Sequence, residues 1–316
     1  MSTKIDWTDE TWNPIVGCSK ISAGCKNCYA EKMAARLADM GKVQYEEVTH
    51  YGPWRGKYDD RIPVITCWNG KTAFVESTLE KPLRWKKPRK IFVCSMGDLF
   101  HESVPDKWIL EVWNIMRSCC CKHTFQILTK RPERMAHIVP RIRFDHSGTG
   151  RLWLADDPQA HEGGYSLGAG HLGCTGLSNV WLGATCENQA TADERIPHLL
   201  KCPAAVRFVS VEPMLEAVDL TAVRFPTGAI ENVLDCSVSD RVIQNGIEKL
   251  NGIDWVICGG ESGPNARPMN PDWARKLRDQ CAAASVPFFM KQMSGRTKAE
   301  RQNIPKDLMI REYPER

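Results

Sequence analysis

Six times along this chain a short run of β-branched and aromatic residues gives way to a polar turn. Lys90 to Phe92 begins a run that ends in Cys94-Ser95-Met96-Gly97-Asp98, and Thr124 to Leu128 ends in Thr129-Lys130-Arg131-Pro132. Asn179 to Leu182 ends in Gly183-Ala184-Thr185-Cys186-Glu187, and Val206 to Val209 in Ser210-Val211-Glu212-Pro213. Ile253 to Ile257 ends in Cys258-Gly259-Gly260-Glu261, and Val286 to Phe289 in Met290-Lys291-Gln292. Each run is bounded by turn formers and reads as a buried strand. Helical patterns lie between: Tyr29 to Met40, Asp106 to Met116 behind Pro105, and Pro271 to Ala284. Strand–helix alternation predicts a parallel sheet. With a first strand expected before Cys18, about seven such units predict an α/β fold of barrel or part-barrel type.

The 316 residues, with 42% hydrophobic and 25% charged, suit one large domain able to bury a core without disulfides. Three stretches break the alternation and are expected as insertions: about 41–88, 143–178 and 221–250. Long connections of this kind are commonly lids or disordered segments. The start of the chain is polar and acidic, without a signal-peptide pattern, and no apolar window is long enough to span a bilayer. A cytoplasmic protein with no membrane partner is expected, its 14 cysteines reduced and free for ligation, reactivity or packing. The consecutive Cys119, Cys120 and Cys121 read as packing residues.

In parallel barrels the chemistry sits at the C-terminal ends of the strands. Six charged residues occupy those ends here: Asp98, Lys130, Glu187, Glu212, Glu261 and Lys291. Taken singly, each could simply mark where a strand leaves the core. As a set at comparable positions they point to a site.

The cysteines give that site its chemistry. Cys18, Cys25 and Cys28 stand in C-x₆-C-x₂-C spacing between the first strand and the first helix. Three thiolates on one loop can hold three irons of a [4Fe–4S] cluster and leave the fourth iron open. An open iron can take the amino and carboxylate groups of S-adenosyl-L-methionine (SAM), whose reductive cleavage yields a 5′-deoxyadenosyl radical. Two other readings stay open. One is a structural zinc site completed by Cys67, His50 or Cys94, and the other is three unrelated core cysteines.

The motifs together resemble a phage- and bacterium-associated radical-SAM-like family, known mainly as a domain of unknown function. The resemblance rests on Trp12-Asn13-Pro14, Gly24-Cys25-Lys26-Asn27-Cys28-Tyr29-Ala30 and Ser95-Met96-Gly97-Asp98-Leu99-Phe100-His101. It continues through Leu128-Thr129-Lys130-Arg131-Pro132, Val180-Trp181-Leu182-Gly183, Ser210-Val211-Glu212-Pro213, Gly259-Gly260-Glu261-Ser262-Gly263 and Phe289-Met290-Lys291-Gln292. It implies a partial (β/α) TIM-like barrel over the whole chain, with the cluster at its mouth. It would place Ser95, Met96, Gly97 and Asp98 at the methionine end of SAM, and Lys130 and Glu187 near its carboxylate and ribose. Glu212 and Glu261 would reach adenosine or substrate, and together with Lys130 and Lys291 would be the catalytic candidates. Many radical-SAM enzymes carry an aromatic residue just before the third cysteine; Asn27 holds that place here and Tyr29 follows as the cofactor contact.

The net charge of +4 is small, but its distribution is uneven. Lys81 to Lys90 is basic throughout and includes Trp85. Arg84, Trp85, Lys86, Lys87, Arg89 and Lys90 are the expected nucleic-acid contacts, cations for phosphates and an aromatic for stacking. Charge runs are also often no more than solvated surface. The leading expectation is a radical-SAM enzyme that modifies a nucleic-acid base such as a hypermodified pyrimidine of phage DNA, with rearrangement by an isomerase as one outcome. It would work in the bacterial host and take its electron from an external donor. A duplex target would be flipped out to reach the mouth. The alternatives are a radical-SAM enzyme on a small molecule or peptide, and a zinc-stabilised nucleic-acid-binding module without catalysis.

Overall fold

The computed structural model describes residues 3, 5–52, 64–144, 152–155, 177–235, 242–244, 247–249 and 252–315. Seven strands form the main sheet: β1 (Glu10–Trp12), β2 (Lys90–Val93), β3 (Thr124–Thr129), β4 (Val180–Thr185), β5 (Val206–Val211), β6 (Trp255–Gly259) and β7 (Phe288–Gln292). They lie side by side in chain order, and every pair is parallel. The sheet curls into a half-barrel flanked by helices. Its edge strands, β1 and β7, do not pair with each other.

Among the described residues five helices have at least seven residues: α1 (Tyr29–Asp39), α2 (Asp106–Ser118), α3 (Pro132–Ile138), α4 (Gln189–Leu200) and α5 (Pro271–Ala283). Helix α2 shows why they form. Its buried residues Ile109, Val112, Trp113 and Met116 recur at helical spacing, so one stripe faces the sheet. Helix α4 begins where the Asn188 side chain accepts the Thr191 N–H at 3.0 Å. Helix α5 begins with Asn270 capping Asp272 and with Pro271 in its first turn.

Strand residues alternate between two cores. Ile91, Val93, Phe125, Ile127, Leu182, Val209, Val256 and Met290 belong to the large outer core shared with the helices. Phe92, Trp181, Phe208, Trp255, Ile257 and Phe289 form a second, concave core. Trp7, from the segment before β1, plugs it; its ring centre lies 4.7 Å from Phe92, 6.2 Å from Phe208 and 6.3 Å from Trp255. Gly183 makes room for Phe208, because a Cβ there would come within 2.5 Å of that ring. The concave side is thus packed at its base, and a cavity opens at the C-terminal ends of the strands.

The expected insertions differ in kind. The 41–88 stretch is not a free lid over its described part. Thr49–Gly52 pairs with Val64–Trp68, and Ala73–Phe74 pairs with Ile15–Val16. Tyr45, Val48, Trp68, Ala73 and Val75 bury against Ala30, Ala34 and Ala38 of α1 in a satellite core. This insertion therefore buttresses the first helix. The 221–250 stretch contributes two hairpins, Val223–Arg224 with Ile230–Glu231 and Val242–Gln244 with Ile247–Lys249. In the 143–178 stretch a hairpin joins Ile142–Phe144 to Leu152–Leu154; residues 145–151 and 156–176 lie outside the described residues, as do 53–63. One reading of the cysteines needs correction. Cys119 is buried, but Cys120 and Cys121 are exposed, because α2 ends at Ser118 and they sit in the turn beyond it. Among the described residues no helix is long and apolar enough to cross a membrane.

Candidate functional site

The chain leaves β1 and makes a loop that carries all three motif cysteines. Gly17, at φ +96°, turns it, and its N–H donates to the Met96 carbonyl at 3.1 Å. A Cβ at Gly17 would overlap the Lys71 carbonyl, and one at Gly97 would lie 2.9 Å from the Gly17 carbonyl, so this close approach needs both glycines. A 3₁₀ turn over Ala23–Cys25 follows, and Cys28 caps the N-terminus of α1. Cys18, Cys25 and Cys28 are each half-buried and free of disulfides, whereas Cys94, Cys119, Cys186, Cys202, Cys258 and Cys281 are buried.

Among the described residues no three of His, Cys, Asp and Glu converge as ligands of a single metal ion. His50 is exposed on its hairpin and Cys94 is buried at the end of β2, and neither completes a four-ligand set with the loop. Three half-buried thiols on one loop have the donor chemistry of a thiolate-held cluster. Arg131 Nη1 donates toward Cys18 Sγ at 3.6 Å, and Ser22 Oγ lies 3.7 Å from Cys25 Sγ. Burial, and next the Asp98 carboxylate, push the Cys18 thiol up to about 12, with Arg131 opposing them. Metal ligation would have to displace that proton.

Five of the six strand-end charges meet at the mouth. Lys130 Nζ lies 3.4 Å from Glu187 Oε1, and Arg195 Nη1 lies 3.0 Å from Glu187 Oε2. The Ser22 hydroxyl donates to Glu187 at 2.7 Å. Burial would raise the Glu187 carboxyl; Lys130, Arg195 and Ser22 overcome it and hold the group below the usual carboxylate range. Across the mouth, Lys291 Nζ pairs with Glu212 Oε1 at 2.9 Å, and the Ser210 hydroxyl donates to Glu212 Oε2 at 3.1 Å. Glu261 pairs with Arg267 at 2.5 Å and accepts the Asn27 amide at 2.9 Å. Burial opposes ionisation there too, and Arg267 prevails, keeping Glu261 below its ordinary value.

Glu187 and Glu261 therefore clamp the cysteine loop from two sides. Glu187 reaches Ser22, and a Cβ on Gly24 would overlap its carboxylate. Glu261 reaches Asn27 directly and, through Arg267 Nη2, the Ala23 carbonyl at 2.9 Å. Between these groups lies a cavity of about 180 Å³, lined by Cys28, Tyr29, Lys130, Glu212, Glu261 and Lys291 among others.

The Ser95 to Asp98 motif behaves differently. Met96 is buried in the satellite core, and its N–H donates to Asn13 Oδ1 at 3.0 Å. The Ser95 hydroxyl also donates to Asn13 Oδ1, at 3.1 Å, and the Ser95 carbonyl accepts the Tyr29 hydroxyl at 2.9 Å. Asp98 is buried, accepting from the Thr129 hydroxyl at 2.8 Å and from Arg131 Nη1 at 3.3 Å. These residues support the cysteine loop from beneath; Met96 and Asp98 do not line the mouth cavity.

The basic segment is displaced further. Arg84, Trp85, Lys86, Lys87 and Arg89 precede β2 and so lie at the N-terminal end of the sheet, opposite the mouth. Lys81 and Arg89 stand over the Trp85 ring at 5.3 and 5.5 Å, and Arg89 pairs with Glu10 at 2.8 Å. Lys90 stands over the Tyr313 ring at 3.5 Å. The aromatic expected to stack on a base already carries cations.

Of the residues that bind the loop to the rim, the sequence singled out Asn27, and for its place before the third cysteine only; Ser22, Arg131, Arg195 and Arg267 were not singled out. Arg131 stood inside a quoted motif. Arg267 follows Glu261 by six residues, and only the turn of the chain between them brings the pair together.

A family model described as "Protein of unknown function (DUF5131)" matches residues 2–315. No curated protein matches the chain, and no solved structure does.

Proposed function

The chain belongs to the DUF5131 family, and we propose that it is a radical-SAM enzyme built on a partial (β/α) barrel. Cys18, Cys25 and Cys28 hold three irons of a [4Fe–4S] cluster in this reading, and an external donor reduces it. One observation carries the proposal: three half-buried free thiols sit on one loop over the open end of a parallel half-barrel, beside a cavity ringed by charged side chains.

When bound, the cluster and SAM supply a carbon radical able to take an unactivated hydrogen atom. The chain's own residues bind and shield. Lys130, partly exposed above Glu187, offers a cation to the SAM carboxylate. Tyr29 and Cys28 form one wall of the cavity, and Trp7 closes its base against water. The Glu212–Lys291 pair faces the same space from β5 and β7 and is placed to orient a polar substrate group. The substrate in this reading is a nucleic-acid base, and rearrangement of that base or its appended group is the reaction class.

Anaerobic reconstitution with iron and sulfide, followed by reduction in the presence of SAM, tests the proposal. The expected outcome is bound iron and sulfide and release of 5′-deoxyadenosine, measured by mass spectrometry. Cys18→Ala, Cys25→Ala and Cys28→Ala each abolish that product, while Cys120→Ser, at an exposed turn, leaves it intact. Zinc without iron and sulfide in the isolated protein sinks the reading.

A further inference from the structure

A second cavity adjoins the mouth on its outer side. It measures about 320 Å³ and is lined by Tyr29, Lys32, Met33, Arg36, Gly263 and Arg301, among others. Tyr29 and Ser262 line both this cavity and the mouth, so the two are neighbours. Residues 29, 32, 33 and 36 recur at helical spacing and share one face of α1, which the satellite core does not cover. Tyr29 is 49% exposed and Met33 43%.

The charge of this face is one-sided. No ion pair joins Lys32, Arg36 or Arg301 to a carboxylate among the described residues. Three neighbouring acids are engaged elsewhere: Glu31 with Lys20 at 2.8 Å, Glu261 with Arg267 at 2.5 Å, and Glu300 with the backbone of Arg296 at 2.6 Å. Asp39, exposed one turn beyond Arg36, is the acid left at the end of this helix, and Arg301 Nη1 donates to the Gly295 and Arg296 carbonyls at 3.4 and 3.0 Å. The ammonium of Lys32 stands over Gly263, 3.8 Å from where a Cβ would be, and the φ of +100° there favours a glycine that leaves the surface low. At the far end of the sheet, by contrast, Arg89 is spent on Glu10 and both Lys81 and Arg89 on Trp85.

We infer that the α1 face of Lys32, Arg36 and Arg301 binds the phosphodiester backbone of a single nucleic-acid strand, so that a base flanked by those phosphates enters the mouth past Tyr29. The inference rests on the nucleic-acid reading above and moves its contact surface from the 84–90 segment to the rim. Cations without acidic partners suit phosphates, and the exposed Tyr29 ring and Met33 suit the flank of a base. A duplex does not present its bases to such a rim, so the occupant is a single strand or an extruded nucleotide.

The test is fluorescence anisotropy with a labelled oligothymidylate of about 15 nucleotides, in a salt series, on the full chain as isolated. This readout needs neither cluster nor SAM, so it fails or succeeds independently of 5′-deoxyadenosine production. Lys32→Gln/Arg36→Gln is expected to weaken binding about tenfold at low salt and to reduce the salt slope by roughly 0.7 per lost phosphate contact. Lys86→Gln/Lys87→Gln, an equal charge change at the opposite end, is expected to leave both unchanged. Unaltered circular dichroism identifies the first variant as folded, and Arg301→Gln provides a second, independent removal of charge. Absence of binding by the native chain at low salt overturns the inference. So does loss carried by the 86/87 variant, or competition by thymidine monophosphate as strong, phosphate for phosphate, as by the strand.

Discussion

Arg131 joins Asp98 to Cys18: one guanidinium nitrogen lies 3.3 Å from the Asp98 carboxylate and 3.6 Å from the Cys18 sulfur. The same side chain donates to Ser19 Oγ at 2.7 Å and to Glu102 at 2.6 Å. This geometry is a fork, and a fork is what lysine lacks. Arg131→Lys is expected to retain the fold but to loosen the loop at Cys18, seen as faster alkylation of the Cys18 thiol. Arg131→Met strands the buried Asp98 charge and is expected to cost about 3 kcal/mol or more. Denaturant unfolding of the two variants checks the order; equal stability would refute the role given to the pair.

Gly24 lets Glu187 reach the cysteine loop. A Cβ there would overlap the carboxylate, which is itself held by Lys130 and Arg195 and cannot swing freely. Gly24→Ala is therefore expected to destabilise by roughly 1–3 kcal/mol, as overpacking does. The double variant Gly24→Ala/Glu187→Asp, with a shorter acid, recovers part of that loss. Thermal melts of the four proteins measure the coupling, and an additive cycle would count against contact between these residues.

Trp7 fills the closed base of the concave core. Trp7→Ala is expected to cost about 3–5 kcal/mol. Trp7→Phe should cost much less, because the indole N–H of Trp7 has no partner among the described residues and its removal relieves an unmet donor. Equal losses in the two variants would place the energy in the indole nitrogen rather than in the ring's packing.

His101 gives a pH signature. Burial lowers its pKa from 6.5, and Arg131 lowers it further. The neutral ring bridges Ser19 and Ser103 at 2.9 Å each. A group with a depressed folded pKa stabilises the fold fully above its unfolded value and loses that contribution as pH falls through the lower, folded value. The native chain should therefore lose more melting temperature between about pH 7.5 and about pH 5.5 than His101→Gln does. Parallel curves would remove His101 as the cause.

The sheet was readable because each strand is a short apolar run with its own turn. Lys90, Thr124 and Val206 begin strands where the runs begin. The three cysteines and five rim charges were readable for the same reason, since strand ends converge in a parallel curl. What lay outside the pattern was direction. Nothing in the composition of Arg84 to Lys90 says that it enters the sheet from the end away from the mouth, or that Trp85 is already covered. Nor does the local text around Cys120 say that α2 stops two residues before it. The clamps on the loop escaped because they are long-range pairs of ordinary polar residues, with no local signature.

Those clamps also set a timetable. Ser22 and Glu187 are 165 residues apart, and Asn27 and Glu261 are 234 apart. At a synthesis rate of about 5–20 residues per second, Asn27 waits on the order of tens of seconds for its partner to be made. Through that interval the cysteine loop is an open strap on an unfinished sheet. The loop is held from that side only once the strands that carry Glu261 and its neighbours have been made.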